Sequence, residues 1–125
     1  MKPIFGLAAM LVLATPAVAQ RPVANPFSDK LASLKDVPRR AVLRRAILDS
    51  NLWCDRVSQD LRRGTWRNLS VWNARCGRGA DYGVFIGQDQ SVQVRPCKDL
   101  ASLKLPRCTL PPRAVVQNTG ARQTR

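Results

Sequence analysis

An α+β domain is the fold class this sequence predicts: N-terminal helices packed on a three-stranded antiparallel β-meander, a short C-terminal helix, and disulfide staples. Three observations lead there. The hydrophobic period is helical up to about residue 57 and alternating from residue 65. Glycine-containing turns then divide the alternating half into short strands. All four cysteines follow a segment ordered like a secretory signal, so they are expected to meet an oxidising compartment.

That segment comes first. Lys2 supplies a positive charge, residues 4–14 form an apolar run, and Thr15 and Pro16 break it before Ala17, Val18 and Ala19. This is the charged, apolar and small-residue order of a signal peptide, so residues 1–19 are read as one, cut between Ala19 and Gln20. The run is too short to remain as a spanning helix, and no later stretch supplies a transmembrane segment. The mature chain is expected in the periplasm or secreted, as a single small α+β domain over residues 28–108.

Residues 20–27, with Pro22 and Pro26, read as an extended arm. Ser28 is the expected N-cap of a short helix carrying Leu31 and Leu34 to about residue 35. Val37 and Pro38 open a second helix, since proline suits a first turn, and it is expected to run to about residue 57. On a helical wheel it has two apolar stripes. Val42, Leu43, Ala46, Ile47, Trp53 and Cys54 fill a broad one, and Val37, Ala41, Leu48 and Leu52 a narrow one. A helix apolar on two sides is packed on both. The first helix covering the narrow stripe is the simpler arrangement; a partner protein docking there is the alternative.

The meander follows. Trp66, Ser70, Trp72, Ala74 and Cys76 share one parity, Tyr82, Val84 and Ile86 a second short run, and Val92 and Val94 a third. Turns occupy residues 77–80 and 87–90. Matching the apolar faces pairs Ala74 with Val84 and Val84 with Val94, with Trp72 and Ile86 on the same face. Residues 99–105 form the short C-terminal helix, stopped by Pro106. Residues 109–125 hold no acid and little periodicity and read as a flexible basic tail. The pentapeptide LASLK of residues 31–35 recurs at 100–104. The segments between the copies do not repeat, so this is one short-helix design used twice and not a duplicated domain.

Strand geometry bears on the cysteines. Cys76 and Cys97 end strands that are two apart in the meander. At ~4.8 Å per strand they stand near 10 Å, beyond the ~7 Å reach of a disulfide. Cys54–Cys76 with Cys97–Cys108 then staples helix to sheet and sheet to last helix; Cys54–Cys97 with Cys76–Cys108 stays open. The spacings contain no C-x-x-C pair and the chain no histidine, so no metal site and no cofactor is expected.

Composition narrows the chemistry. The chain has 21 Lys and Arg against 8 acids, all of them Asp, with neither His nor Glu. Losing residues 1–19 removes one cation, Lys2, so the net charge falls from +13 only to +12. The usual general base is absent, Asp81 and Asp89 sit at opposite ends of one strand in turn-forming positions, and no phosphate-cradling loop opens a helix. No enzyme is expected. Non-catalytic binding of an anionic envelope component or an acidic protein is, through a surface that includes Arg39, Arg40, Arg44, Arg45, Arg62, Arg63 and Arg67. Export makes nucleic acid an unsuitable partner. The alternative is an assembly factor docking through the stripe of Val37, Ala41, Leu48 and Leu52. N-terminal sequencing of the exported protein is expected to begin at Gln20; a chain that keeps Met1 overturns the signal reading.

Overall fold

The computed structural model describes residues 24–113, together with Ala14 and Pro16. The expected signal peptide, most of the expected arm and residues 114–125 lie outside the described residues.

The core element is a four-stranded antiparallel sheet of order β1-β2-β3-β4. Its strands are β1 (Val57–Trp66), β2 (Leu69–Cys76), β3 (Asp81–Ile86) and β4 (Val92–Pro96). Helices α1 (Pro26–Ser33) and α2 (Asp36–Asp49) precede it, and a single helical turn, α3 (Cys97–Leu100), follows. One face of the sheet packs Trp72, Ala74, Tyr82, Val84, Ile86 and Val94 against Leu31, Leu43 and Ile47 of the two helices. The other face, with Val71 and Phe85, is covered by Leu100, Leu105 and Cys108 of the C-terminal segment. The α+β class stands, but the sheet has a fourth strand.

The sequence pattern predicts no strand over residues 58–64, and the structure shows the physical reason. Strand β1 is an edge strand whose inward positions carry Asp60 and Arg62, opposite Ala74 and Trp72, where alternation would demand apolar residues. Register shifts between Val57 and Gln59, and between Arg62 and Gly64, break the period further. Gly64, at φ 107, adopts a conformation open to glycine. Charges and bulges of this kind are also what keeps an edge strand from pairing with another chain. The hairpin to β2 turns at Arg67 and Asn68, both with positive φ (46 and 63), the conformation of a two-residue primed turn. Trp66 therefore closes β1 instead of opening the next strand.

Helix α2 stops at Asp49, not near residue 57. Asn51 takes the left-handed conformation (φ 58), its N–H reaches Leu48 O at 3.0 Å, and Leu52 N–H reaches Ile47 O at 3.2 Å. That is a Schellman cap, and Leu52 turns back onto the core as such caps favour. Trp53 and Cys54 consequently leave the broad stripe and belong to the loop before β1. Helix α1 does not cover the narrow stripe: Val37 is 81 % exposed and Ala41 is also exposed.

Helix α1 begins two residues before the expected cap. Asn25 Oδ1 accepts the Ser28 N–H at 3.0 Å and Pro26 takes the first helical position, so the expected arm over 20–27 ends sooner. Ser28 is freed for another task. Its buried hydroxyl accepts the Trp72 indole N–H at 2.9 Å and shares a hydrogen bond with Ser70, while Asn25 Nδ2 donates to Ile86 O at 2.9 Å. These bonds seat α1 on the middle of the sheet.

Val84 pairs with Val94 as expected, but Val84 faces Trp72 and Ala74 faces Tyr82, a shift of two residues. A shift of two keeps every side chain on its expected face. Both disulfides of the first pairing are present: Cys54–Cys76, with Cα atoms 5.4 Å apart, and Cys97–Cys108, at 5.7 Å. The last helix is one turn, α3, and residues 101–104 continue as a turn, so the second LASLK copy is not a helix. Its Leu100 is nevertheless buried, as Leu31 is in the first copy, each anchoring on its own face of the sheet.

The expected tail is anchored at its start. Asn73 Oδ1 accepts the Thr109 N–H at 3.0 Å, Arg63 donates to Arg107 O and Arg75 to Pro111 O. Arg113 donates to Cys76 O, Gly77 O and Gly79 O and pairs with Asp81. Residues 97–113 therefore form a strap across the second face.

Asp60 is the buried charge of the fold, with its side chain 2 % exposed. Burial pushes its carboxyl pKa up. The hydrogen bonds and charges of Arg39 and Arg40 outweigh that and hold it below the usual value. Its contribution to stability is therefore full above the unfolded pKa, near pH 4, and is lost as pH falls through the lower folded value. Asp60→Asn should destabilise the protein by about 3–5 kcal/mol at neutral pH, the range for stripping one partner from a buried pair. Urea denaturation should show that gap narrowing in acid. Equal neutral-pH stability of variant and wild type counts against this role for Asp60.

Candidate functional site

The seven arginines expected to form one binding surface are distributed over the molecule. Arg39 and Arg40 turn toward Asp60, with Nε of Arg40 at 2.8 Å from Oδ1, and Arg39 also pairs with Asp36. Arg45 pairs with Asp49 one turn along α2, on exposed surface. Arg62 crosses to Asp29 of α1 at 2.6 Å and lies over the Trp72 ring. Arg63 is on the strap side, and Arg67 stacks on Trp66 at the β1–β2 hairpin, 4.8 Å from the ring centroid. Most of these guanidiniums hold the fold together.

Arg40 and Arg44 come together with a residue outside that set, Arg56. With Val37, Ala41 and Val57 they line a groove of about 300 Å³ between α2 and the start of β1. Half of the narrow stripe thus survives as the apolar floor of a groove bordered by three guanidiniums. Arg44 Nε donates to Cys54 O at 3.1 Å, which fixes the stem of its side chain while the rest of the guanidinium stays exposed. Leu52 turns onto the edge of the core, and both it and Leu48 are half-buried, so the stripe does not continue.

The groove leads to the end of the sheet. Gly77 N–H donates to Arg56 O at 2.9 Å and Arg78 N–H to Asp55 Oδ1 at 3.1 Å, so the turn over residues 77–80 lies against the loop before β1. The Cys54–Cys76 disulfide joins the same two segments. Tyr82 Oη donates to Trp53 O at 2.8 Å. The packing beside it is tight: a Cβ added at Gly79 would stand 3.1 Å from both Cys76 Cβ and the Trp53 ring. Trp53 is nonetheless 58 % exposed. Sequence periodicity assigned it to the core, and only the Asn51 cap signal pointed otherwise.

A larger groove, about 470 Å³, runs between α1 and α2 past Phe27, Leu34 and Val42, with Lys30 as its one charged lining residue. It offers an anion a single handle and is not favoured as the binding site.

The carboxyls with displaced pKa values are all displaced downward. In Asp81 burial opposes the shift, and Arg75 and Arg113 overcome it. Asp55 is held down first by the Arg78 N–H, and Asp89 by Ser91, whose hydroxyl and N–H it accepts in the turn after β3. Asp89 thus serves its turn as expected, whereas Asp81 instead clamps β2 and the strap. None of the four cysteines is free, and among the described residues no group of three His, Cys, Asp or Glu gathers as a metal site. No described helix is long and apolar enough to cross a membrane.

No protein-family model matches this chain, and no curated protein or solved structure does either, so residues and geometry alone carry the functional reading.

The placement of Trp53 has a spectroscopic handle, because Tyr82 is the one tyrosine in the chain. Burial raises its pKa above the ordinary phenol value. Absorbance titration of the native protein should show a phenol ionising later than in the urea-unfolded chain. Coincident titrations would mean that the Tyr82 phenol is not buried in the folded protein.

Proposed function

We propose that this chain is a small exported protein, in the periplasm or secreted, that binds an anionic envelope component or an acidic partner without catalysis. One observation carries the reading: the groove where Arg40, Arg44 and Arg56 surround the exposed side chains of Val37 and Ala41. Solvent-facing valine beside unneutralised guanidinium suits a ligand with both carboxylate or phosphate and apolar groups. Neither Arg44 nor Arg56 is ion-paired among the described residues, so these two are the free cations of the groove, whereas Arg40 meets Asp60 through Nε and Asp36 through Nη2 at 3.8 Å. The downward-shifted, arginine-held carboxylates support binding over proton transfer, since a general acid or base works best with a pKa near the working pH. The two disulfides accord with export.

An assembly role through the apolar stripe is favoured only by the exposure of Val37 and Ala41. In this reading those side chains belong to the same groove, so a docking partner would present acidic residues around an apolar one.

Net charge alone attracts polyanions, so the test must hold it constant. Arg44→Glu with Arg56→Glu is compared with Arg95→Glu and Arg107→Glu, which make the same charge change at exposed positions away from the groove. Binding of fluorescein-labelled polyglutamate, followed by anisotropy, should weaken roughly tenfold more in the groove variant than in the control. It should also fall steeply between low and physiological salt. Equal losses in the two variants overturn the groove assignment.

A further inference from the structure

We infer that the end of the sheet around Trp53 is a docking face for an anionic lipid bilayer. This inference rests on the reading above and names the surface on which the groove opens. Trp53 is a large, half-exposed aromatic held rigidly from beneath. Its carbonyl is bonded to Tyr82, its ring lies against Gly79, and the neighbouring Cys54 is cross-linked to Cys76. Its indole N–H has no hydrogen-bond partner among the described residues, which leaves an apolar ring with an unused donor. That combination suits the boundary between acyl chains and headgroups.

The cations around it are arranged to match. Arg56 lies against Gly77, and Arg78 occupies the turn that Trp53 packs on. Both are exposed, and neither is ion-paired among the described residues. Arg44 bonds the carbonyl of Cys54, the next residue after Trp53. Of the two acids in this region, Asp81 is ion-paired with Arg75 and Arg113, while Asp55 is an ionised carboxylate that accepts the Arg78 N–H. The face therefore presents the guanidiniums of Arg44, Arg56 and Arg78 to phosphate against the one carboxylate of Asp55, and each cation in excess near an anionic leaflet adds to binding. A turn and a loop at the tip of a sheet suit a broad surface; the adjoining groove is where a single anionic headgroup and the start of its chain would lie.

The experiment uses the exported chain with both disulfides formed. It is sedimented with vesicles of pure phosphatidylcholine, or of phosphatidylcholine and phosphatidylglycerol in equal amounts. Wild type should sediment only with the anionic vesicles. Trp53→Ala should weaken that binding roughly tenfold, given the apolar area of an exposed indole. Arg56→Ser with Arg78→Ser should weaken it comparably, and Arg67→Ser, at the opposite end of the sheet, with Arg107→Ser by less than about twofold. The emission lost in Trp53→Phe isolates Trp53 from Trp66 and Trp72, and it should shift to the blue on anionic vesicles.

Unimpaired binding by Trp53→Ala, equal binding to neutral vesicles, or an equal loss in the control pair overturns the docking face. Wild type that binds polyglutamate at the groove but ignores vesicles overturns this inference and leaves the proposed function standing. Wild type that ignores both overturns both.

Discussion

A carboxylate in the wrong place organises this molecule. Asp60 projects from the edge strand toward the helices, in a row where the next two strands carry the buried Ala74 and Tyr82. An unpaired carboxylate there would be prohibitive, so α2 must deliver guanidiniums to it. Arg39 and Arg40 do so from adjacent positions, and Arg39 also ties to Leu34 O and Asp36 where α1 gives way to α2. With those two arginines directed at β1, Leu43 and Ile47 fall over the sheet. Val37, Ala41 and Arg44 are left along the border with β1 and Arg56. The groove is a by-product of how the buried charge is satisfied.

Arginine does several jobs in this chain, and burial separates them. Arg39 and Arg40 neutralise Asp60, Arg62 bridges α1 to the sheet over Trp72, and Arg63, Arg75 and Arg113 hold the carbonyls of the strap or the turn beneath it. A guanidinium with five fixed donors is well suited to capturing stray carbonyls, which lysine does less well. Once these structural uses are set aside, the unneutralised cations at the Trp53 end of the sheet are a smaller and more specific set than the composition suggests. High net charge speaks to solubility and to the sign of a partner; location decides which charges remain for it.

The two faces of the sheet are closed by different means. Apolar packing and the Asn25–Ser28–Trp72 bonds seat the helices on one face. On the other, a strap without regular structure after α3 is held by the Cys97–Cys108 link and by side chains reaching its backbone. Neither disulfide joins a helix of the first layer to the sheet, although the sequence predicts that role for Cys54–Cys76: that link ties the loop before β1 to the end of β2, and Cys97–Cys108 closes the C-terminal segment on itself just after β4. The Cys54–Cys76 link has a second consequence, since it sits directly under the loop that displays Trp53. Rigidity at that point lowers the ordering cost of any contact made there.

Period and spacing alone determined the α+β class, the central pairing of Val84 with Val94, the faces of β2 to β4 and the favoured disulfide pattern. All of these depend on local alternation or on how far a strand displaces a cysteine, and such quantities are written in consecutive residues. What only the tertiary structure decided was the fourth strand, the end of α2 and the fate of each arginine. Strand β1 has no apolar period because its inward side chain is a charge whose partners lie about twenty residues earlier, on a helix. Asn51 could be recognised as a cap, but the helical period continued past it through Leu52 and Trp53 and masked the stop. The seven arginines look alike in the sequence. Whether a guanidinium meets a buried carboxylate, a strap carbonyl or solvent depends on contacts between distant segments, which no local pattern encodes.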